Sequence, residues 1–533
     1  MVKKVALSPT FFLKSKIDKL NPKIKAGYNK VIEFGSKLEN DINFFMLRIA
    51  RIRPENQKKF IDYPGLKEYR HLLERLFREA RYLLSENEEK IINLKAKTSH
   101  VDWVNMTSQF LSKEEGPVIM PNGKKQIKNF SEIISLMIST NKKTRDSAAK
   151  TFNEIITKHL DVAEAEINAV LGNKKIDDQL RKTPRPDYSR HLVDDVDTRM
   201  VDSLIKAVSA RFDIAHRYYK LKAKLLGVKK LRYHERNVPY GKIDKKYSYE
   251  ETTSIVYNAL NNLDNEFAEI FKRFNENGQV DVYPRKGKSN GAFCFYMLKS
   301  QPSYIMLNHT DKLDDVLTVA HEFGHAINNE MIKKREGAIN FGTSTATAEV
   351  ASTFIEDFVA GEIMKKADEE TKLSLMINQL DSDINAIQRQ IAGYMFEIEL
   401  HNEYRNLGYL SKENIGRIFK KAMHSYMGDY VSQDPGSENW WVYWNHIRYF
   451  FYVYSYASGL LISKTLQKMV NNDQENIKKV KQYLSTGLSK SPVHIFRELG
   501  IDITEEEFWL SGLEEIDNLL KETEKLAKKL GKI

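Results

Sequence analysis

The decapeptide Thr318-Val-Ala-His-Glu-Phe-Gly-His-Ala-Ile327 makes chemical sense only as a helix. Helical residues four apart lie on one face, about one turn apart. His321 and His325 then present two imidazole nitrogens to one point, the H-E-x-x-H spacing that holds a zinc ion. Glu322 follows the first histidine directly, so its carboxylate can reach a water on the metal without being a ligand. Val316, Ala320, Phe323 and Ile327 form an apolar stripe at helical spacing, and Leu317, His321 and His325 lie on the neighbouring stripe. The histidines therefore flank the buried face, where a metal pocket can be walled. The plainer alternative, a helix with two half-exposed structural histidines, leaves that placement unexplained. Asp311, Asp314 and Asp315 put negative charge at the expected first turn, which suits a helix N-terminus.

Two histidines do not complete a catalytic zinc site, which needs three protein ligands and an open position. Cys294 is the only cysteine in 533 residues. That excludes an intrachain disulfide framework and a cysteine-rich zinc site, and it fits a reducing compartment. The third ligand must come from a carboxylate or a histidine. Downstream, Gly342 to Glu356 runs from small and hydroxyl residues into a helical pattern, with Val350, Phe354 and Phe358 on one face. Glu349 and Glu356 are two turns apart on a common face. Glu349 is the expected third ligand. Glu356 suits an outer position, accepting a hydrogen bond from a ligand histidine and fixing its tautomer, or it is an exposed helix carboxylate.

The rest of the chain predicts a mainly helical, globular protein with room for a large core. Apolar residues are 41% and charged residues 29%. The spacing predicts helices over 26–52, 66–94, 131–137, 143–171, 196–226 and 255–274, with Gly172 and Asn173 ending the fourth and a Ser248/Glu251 capping box opening the last. Gly116 to Lys125 and Lys182 to Asp187 look like irregular connectors, and Tyr233 to Tyr247 is irregular as well. Only Gln279–Pro284 and Ser303–Asn308 have a strand pattern. That small sheet either closes one side of a cleft or offers a free edge to an extended peptide. His71, His100 and His159 are isolated and default to structural roles. The charge of +11 is interleaved with acids throughout, as in Lys521-Glu-Thr-Glu-Lys-Leu-Ala-Lys-Lys529. It predicts a solvated surface and no nucleic-acid partner. Met1–Pro9 has no apolar run long enough for a leader, and Tyr449–Ile462 is too short to span a bilayer. The expectation is a cytoplasmic protein with no membrane segment.

His321-Glu-Phe-Gly-His325 with Glu349-Val-Ala-Ser352 resembles the signature of oligoendopeptidase F and its relatives, the thimet-oligopeptidase-like zinc metallopeptidases. Asp281-Val-Tyr-Pro-Arg-Lys-Gly-Lys288, Gly291-Ala-Phe-Cys294 and Leu313-Asp-Asp-Val316 resemble the segments preceding that motif. Leu66-Lys-Glu-Tyr-Arg-His-Leu-Leu73 and Leu84-Ser-Glu-Asn-Glu-Glu-Lys90 resemble the family's helical N-terminal lobe. One departure is Asn328, where many relatives carry a further histidine. The resemblance assigns the metal to the two histidines and the distant glutamate, so Asn328 does not enter the ligand set.

The other unusual stretch, Trp440 to Gly459, carries too many hydroxyls for a purely apolar helix. Peptide hydrolysis develops an oxyanion, and a phenol or imidazole donor aimed at it lowers the barrier. The resemblance implies such donors here: His446, with Tyr452, Tyr454 and Tyr456 as the tyrosine candidates. Tyr452 and Tyr456 share a helix face; Tyr454 points elsewhere. Together these residues imply a mainly α, two-lobed zincin-type peptidase with a small sheet beside the H-E-x-x-H helix and a deep central channel. Residues 1–190 would form the helical N-terminal lobe and 191–533 the catalytic domain, holding one zinc ion per chain. The implied activity is hydrolysis of internal bonds in oligopeptides by a metal-activated water, with Glu322 as general base. A zinc carboxypeptidase or peptidyl-dipeptidase is the rival enzyme. A non-enzymatic peptide-binding protein with structural zinc is the rival non-enzyme. Substrate length, side-chain preference and oligomeric state are not written in the sequence.

Overall fold

The computed structural model describes residues 8–241 and 245–533, so most of the Met1–Pro9 stretch lies outside the described residues. Helices dominate, as the apolar spacing predicts, but several expected helices are divided. Residues 143–171 belong to Lys142–Lys158 and Leu160–Arg181, separated at His159. The second of these runs straight through Gly172 and Asn173. Gly172 serves packing rather than termination: a Cβ there would lie 2.8 Å from the Tyr404 hydroxyl oxygen. The 196–226 helix is two, Thr198–Ala210 and Asp213–Leu225. The 255–274 helix begins at Tyr249, where Ser248 Oγ accepts the Glu251 N–H at 3.1 Å, and breaks at Asp264. Asp264 is extended, with φ −162°, and its carboxylate caps Glu266 N at 2.9 Å to start Asn265–Glu276. A side-chain acceptor for the free N–H groups of a new first turn is what makes each restart cheap.

There are three small sheets among the described residues, not one. The strands are β1 (Glu115–Ile119), β2 (Lys125–Asn129), β3 (Leu231–Arg232), β4 (Val280–Asp281), β5 (Phe293–Phe295), β6 (Tyr304–Met306) and β7 (Val431–Ser432). The stretch 116–125, expected as a loop, is instead a hairpin of β1 and β2 around Asn122-Gly123. Gly123 takes φ +78°, and Met120 N donates to Lys124 O at 2.9 Å. The signal was present, an Asn-Gly turn between short runs, but Pro117 and the lysines of β2 masked the strand pattern. β3 and β7 pair in parallel. In the third sheet β6 is central, with β4 parallel on one side and β5 antiparallel on the other. β5 is thus an edge strand. Its alternation puts Phe293 and Phe295 against Phe12, with ring centroids 5.9 and 4.6 Å apart, and Cys294 on the opposite face.

Two compact units interleave along the chain. One comprises Met1–Arg81, Ile243–Lys366 and Leu466–Ile501; the other Tyr82–Lys242, Ala367–Thr465 and Asp502–Ile533. The sequence-based division at 190 falls inside the second unit. No helix is long and apolar enough to cross a membrane among the described residues.

Within the first unit the helix Leu313–Arg335 packs along Val350–Lys366. Its stripe of Val316, Ala320, Phe323 and Ile327 is fully buried, and Phe323 meets Phe271 and Phe274 at 4.3 and 5.9 Å. Asn328 is buried too, and donates to Leu484 O at 2.7 Å. Gly324 sets the closeness of the two helices. A Cβ there would stand 2.5 Å from Ser352 Cα and 2.6 Å from Ala351 O, which are backbone atoms that cannot swing aside. Gly324→Ala is therefore expected to lower unfolding stability by about 1–3 kcal/mol. Denaturant melts check this; an unchanged melt would show that the helices yield.

Candidate metal centre and a separate donor cluster

The close packing at Gly324 brings residues from two helices to one point. His321 Nε2 and His325 Nε2 lie 3.3 and 3.6 Å from Glu349 Oε2, and the rings of the two histidines stand at 82° to each other. Ligands about 2.0–2.1 Å from a tetrahedral zinc are themselves about 3.3 Å apart. The donor set and its spacing therefore fit a zinc ion. Glu349 immediately precedes the Val350–Lys366 helix, and Ser352 Oγ donates to its Oε2 at 3.0 Å. Glu356, two turns on, accepts from His321 Nδ1 at 2.9 Å, which leaves Nε2 free to face the same point as Glu349.

The electrostatics show a site built for added positive charge. Burial alone would lower the His321 pKa, but the Glu349 and Glu356 carboxylates outweigh it and push it up to about 10. Burial would raise Glu349, yet the same histidines hold it down to about 2. Burial carries His325 down to about 4, against the pull of Glu349. A metal ion held here would take the place of a proton on His321 Nε2. Glu322 sits beside this group, buried, and desolvation raises it to about 7, with Glu349 adding to the shift against the pull of His321. The backbone N–H of Cys294 in β5 lies against its carboxyl. The Cys294 thiol is pushed up by burial and by Glu322, and its sulfur accepts from Asn329 Nδ2 at 3.7 Å.

A second group, Asp146, His234 and Glu235, also has closely spaced donor atoms. Lys142 lies 2.7 Å from Asp146, and Arg145 2.8 Å from Glu235. These cations already neutralise it, so it fits an ionic cluster and not a metal.

In the other unit, His446, Tyr452 and Tyr456 form one aromatic cluster, with ring centroids 5.5 to 6.1 Å apart. Trp444 Nε1 donates to His446 Nδ1 at 3.1 Å. The proton of the neutral ring is therefore on Nε2, which meets the Tyr456 hydroxyl at 3.2 Å. Burial, with help from the charge of Arg389, lowers the His446 pKa. Tyr454 is elsewhere: fully buried, it donates to Asp194 Oδ2 at 2.9 Å. Tyr452 does not share a helix with Tyr456, because the helix starts at Tyr454. A turn at Phe450-Phe451 brings Tyr452 alongside instead. Arg190 and Glu397 hold that turn, and neither was anticipated, since both lie far from it in sequence. Glu397 is fully buried, its Oε2 accepts the Phe451 N–H at 2.7 Å, and its Oε1 has no hydrogen-bond partner among the described residues.

A mainly helical scaffold carrying a His–His–Glu donor set, with a buried glutamate beside it, defines the metallopeptidase class. The comparisons agree. The model of peptidase family M3 matches residues 126–515, and that of Oligopeptidase F matches residues 48–112. The chain belongs to peptidase family M3, among the oligoendopeptidase F proteins. It is 25% identical over 496 residues to an oligoendopeptidase F homologue of Lactococcus lactis subsp. lactis (strain IL1403), covering 91% of this chain and 81% of the relative. In fold it resembles a Chlamydophila abortus protein (TM-score 0.89, 21% identity, 98% of this chain and 90% of the other). It also resembles oligoendopeptidase-F from Enterococcus faecium (TM-score 0.76, 19% identity, 99% and 91%).

Two outcomes follow from these contacts. Glu356→Ala frees the His321 ring and is expected to weaken zinc binding about 10- to 100-fold, read by competition with a chromogenic chelator; an unchanged affinity would make Glu356 a bystander. Burial raises Glu397 to about 8 from an ordinary 4.5, against the pull of the Phe451 N–H. Between those values the folded chain holds a proton that the unfolded chain releases, so stability falls as pH rises. Glu397→Gln cannot ionise, so its melting temperature relative to the parent should climb from pH 5 to pH 8. A pH-independent difference would contradict the burial of this acid.

Proposed function

We propose that this peptidase is a zinc-dependent endopeptidase of oligopeptides, holding one zinc ion per chain through His321, His325 and Glu349 and working in the cytoplasm. The observation that carries the reading is the convergence of those three donors beside a buried glutamate that is not one of them. A structural zinc site has no use for an adjacent base. Zinc would supply Lewis acidity toward the scissile carbonyl and the attacking water.

The chain's own residues supply the proton traffic. Glu322 takes a proton from the attacking water and delivers it to the leaving amine nitrogen as the C–N bond breaks. A carboxyl held near 7 by burial suits both halves of that task, and a nearby dication would draw it lower for the first. Glu356 keeps His321 in the ligating tautomer. His446 Nε2–H and the Tyr452 or Tyr456 phenol are the donors assigned to the oxyanion; Tyr454 instead donates to Asp194. The free edge of β5 suits an extended peptide, which would bond its backbone to the strand. An N-terminal helical lobe over 1–190, a catalytic domain over 191–533 and a deep channel that admits unfolded peptides belong to the same proposal. Nucleic acid and membrane are not among the partners it calls for.

The test is incubation with peptides of graded length, each in an end-blocked and a free-ended form, with and without chelator, beside Glu322→Gln, with products read by mass spectrometry. Internal cuts that the chelator abolishes, and that fall about 100-fold or more in the zinc-loaded variant, are expected. Cuts confined to peptides with free ends would make it an exopeptidase. Zinc-loaded protein that cuts nothing would leave a peptide-binding protein.

A further inference from the structure

Phe450 and Phe451 both have left-handed backbone, with φ +52° and +55°. Bulky side chains avoid that region, and such strain persists only where the surroundings overdetermine it. The two residues lie between His446 and Tyr452, so the strained turn decides how the donor cluster closes on itself.

The surroundings come from three separate segments. His100 Nε2, in the π-helical turn Lys97–Val101, donates to Arg448 O at 3.0 Å. Arg190 donates through Nη2 to Tyr449 O at 2.9 Å and through Nε to Phe450 O at 3.2 Å. Glu397 Oε2 accepts the Phe451 N–H at 2.7 Å. Four successive residues thus have a backbone polar group bound by a distant side chain. Arg190 also lies over the Tyr452 ring, 5.7 Å from its centroid. The Phe451 ring packs on His401 and Tyr394 at 4.7 and 5.4 Å. Glu397 makes a poor core residue, because one of its oxygens is buried without a partner among the described residues and an apolar side chain would fill the space at lower cost. What a leucine could not do is accept the Phe451 N–H.

We propose that Glu397 and Arg190 are positioning residues, a two-sided clamp on the Phe450-Phe451 turn that sets the Tyr452 phenol and its His446 and Tyr456 neighbours for the reaction. The inference rests on the proposed role of that cluster as oxyanion donors. The clamp touches no reacting atom. It acts on the rate of the chemical step, because a donor displaced by about 1 Å loses much of its effect.

The experiment measures kcat, KM, zinc content and melting for variants of the full chain, using the end-blocked peptide that the parent cuts fastest. Glu397→Leu and Arg190→Gln, folded and zinc-loaded, are expected to lose kcat about tenfold or more with KM within about twofold. Glu397→Gln keeps an acceptor for Phe451 and should restore most of the rate. Adding the tyrosine-to-phenylalanine change at 452 or 456 that itself lowers kcat should cost Glu397→Leu little more, since both act through one donor. If Glu397→Leu does not fold, Arg190→Gln carries the test alone, by the same criteria. Folded clamp variants with parental kcat, while His446→Ala or a tyrosine variant is slow, would overturn the clamp and leave the donors standing. Parental kcat in His446→Ala, Tyr452→Phe and Tyr456→Phe alike would overturn the donor reading, and the clamp with it.

Discussion

The candidate metal centre depends on a place where two helices meet backbone to backbone. Helices usually keep about 8–10 Å between axes because side chains intervene. At Gly324 none does, and the backbone of Ala351 and Ser352 occupies the space a Cβ would need. That contact fixes Glu349 over His321 and His325, whose mutual spacing the helix already fixes. The glycine sits inside the ligand motif itself, so ligand identity and helix approach are specified within five residues.

Charge arranges the rest of the site. Three carboxyl groups gather around His321; Glu322 is buried, while the His321, Glu349 and Glu356 side chains stay 28%, 38% and 30% exposed. Glu349 and Glu356 lean on the histidine, while Glu322, next to it in sequence, keeps an oxygen-rich group in a dry place with little compensation. The Asp146, His234 and Glu235 group differs, because Lys142 and Arg145 already pair with its carboxylates.

What was legible in the sequence was what a helix makes rigid. His321, Glu322 and His325 share a period that no packing can alter, and the buried stripe of Phe323 and Ile327 follows from the same period. Glu349 and Glu356 were readable because the run after Gly342 announces a helix. Elements whose partners lie far away were not. Gly172 looks like a stop signal until Tyr404 is known to need the space. The hairpin at 115–129 was hidden by a proline at a position where an edge strand tolerates one. The Tyr452–Tyr456 pairing was anticipated on a helix face, yet a strained turn delivers it, and the residues that hold the turn come from 100, 190 and 397. Local periodicity carries no information about such long closures.

The interleaving of the two units has a consequence for how the protein is made. The helix bearing His321 is translated well before residues 466–501, which belong to the same unit. Asn328, one turn beyond His325, finds its buried acceptor only in Leu484. A nascent chain therefore carries the whole H-E-x-x-H motif before one of the segments that its helix packs against has been made. The unit that carries the motif can therefore finish packing only after a segment far downstream of it has been translated.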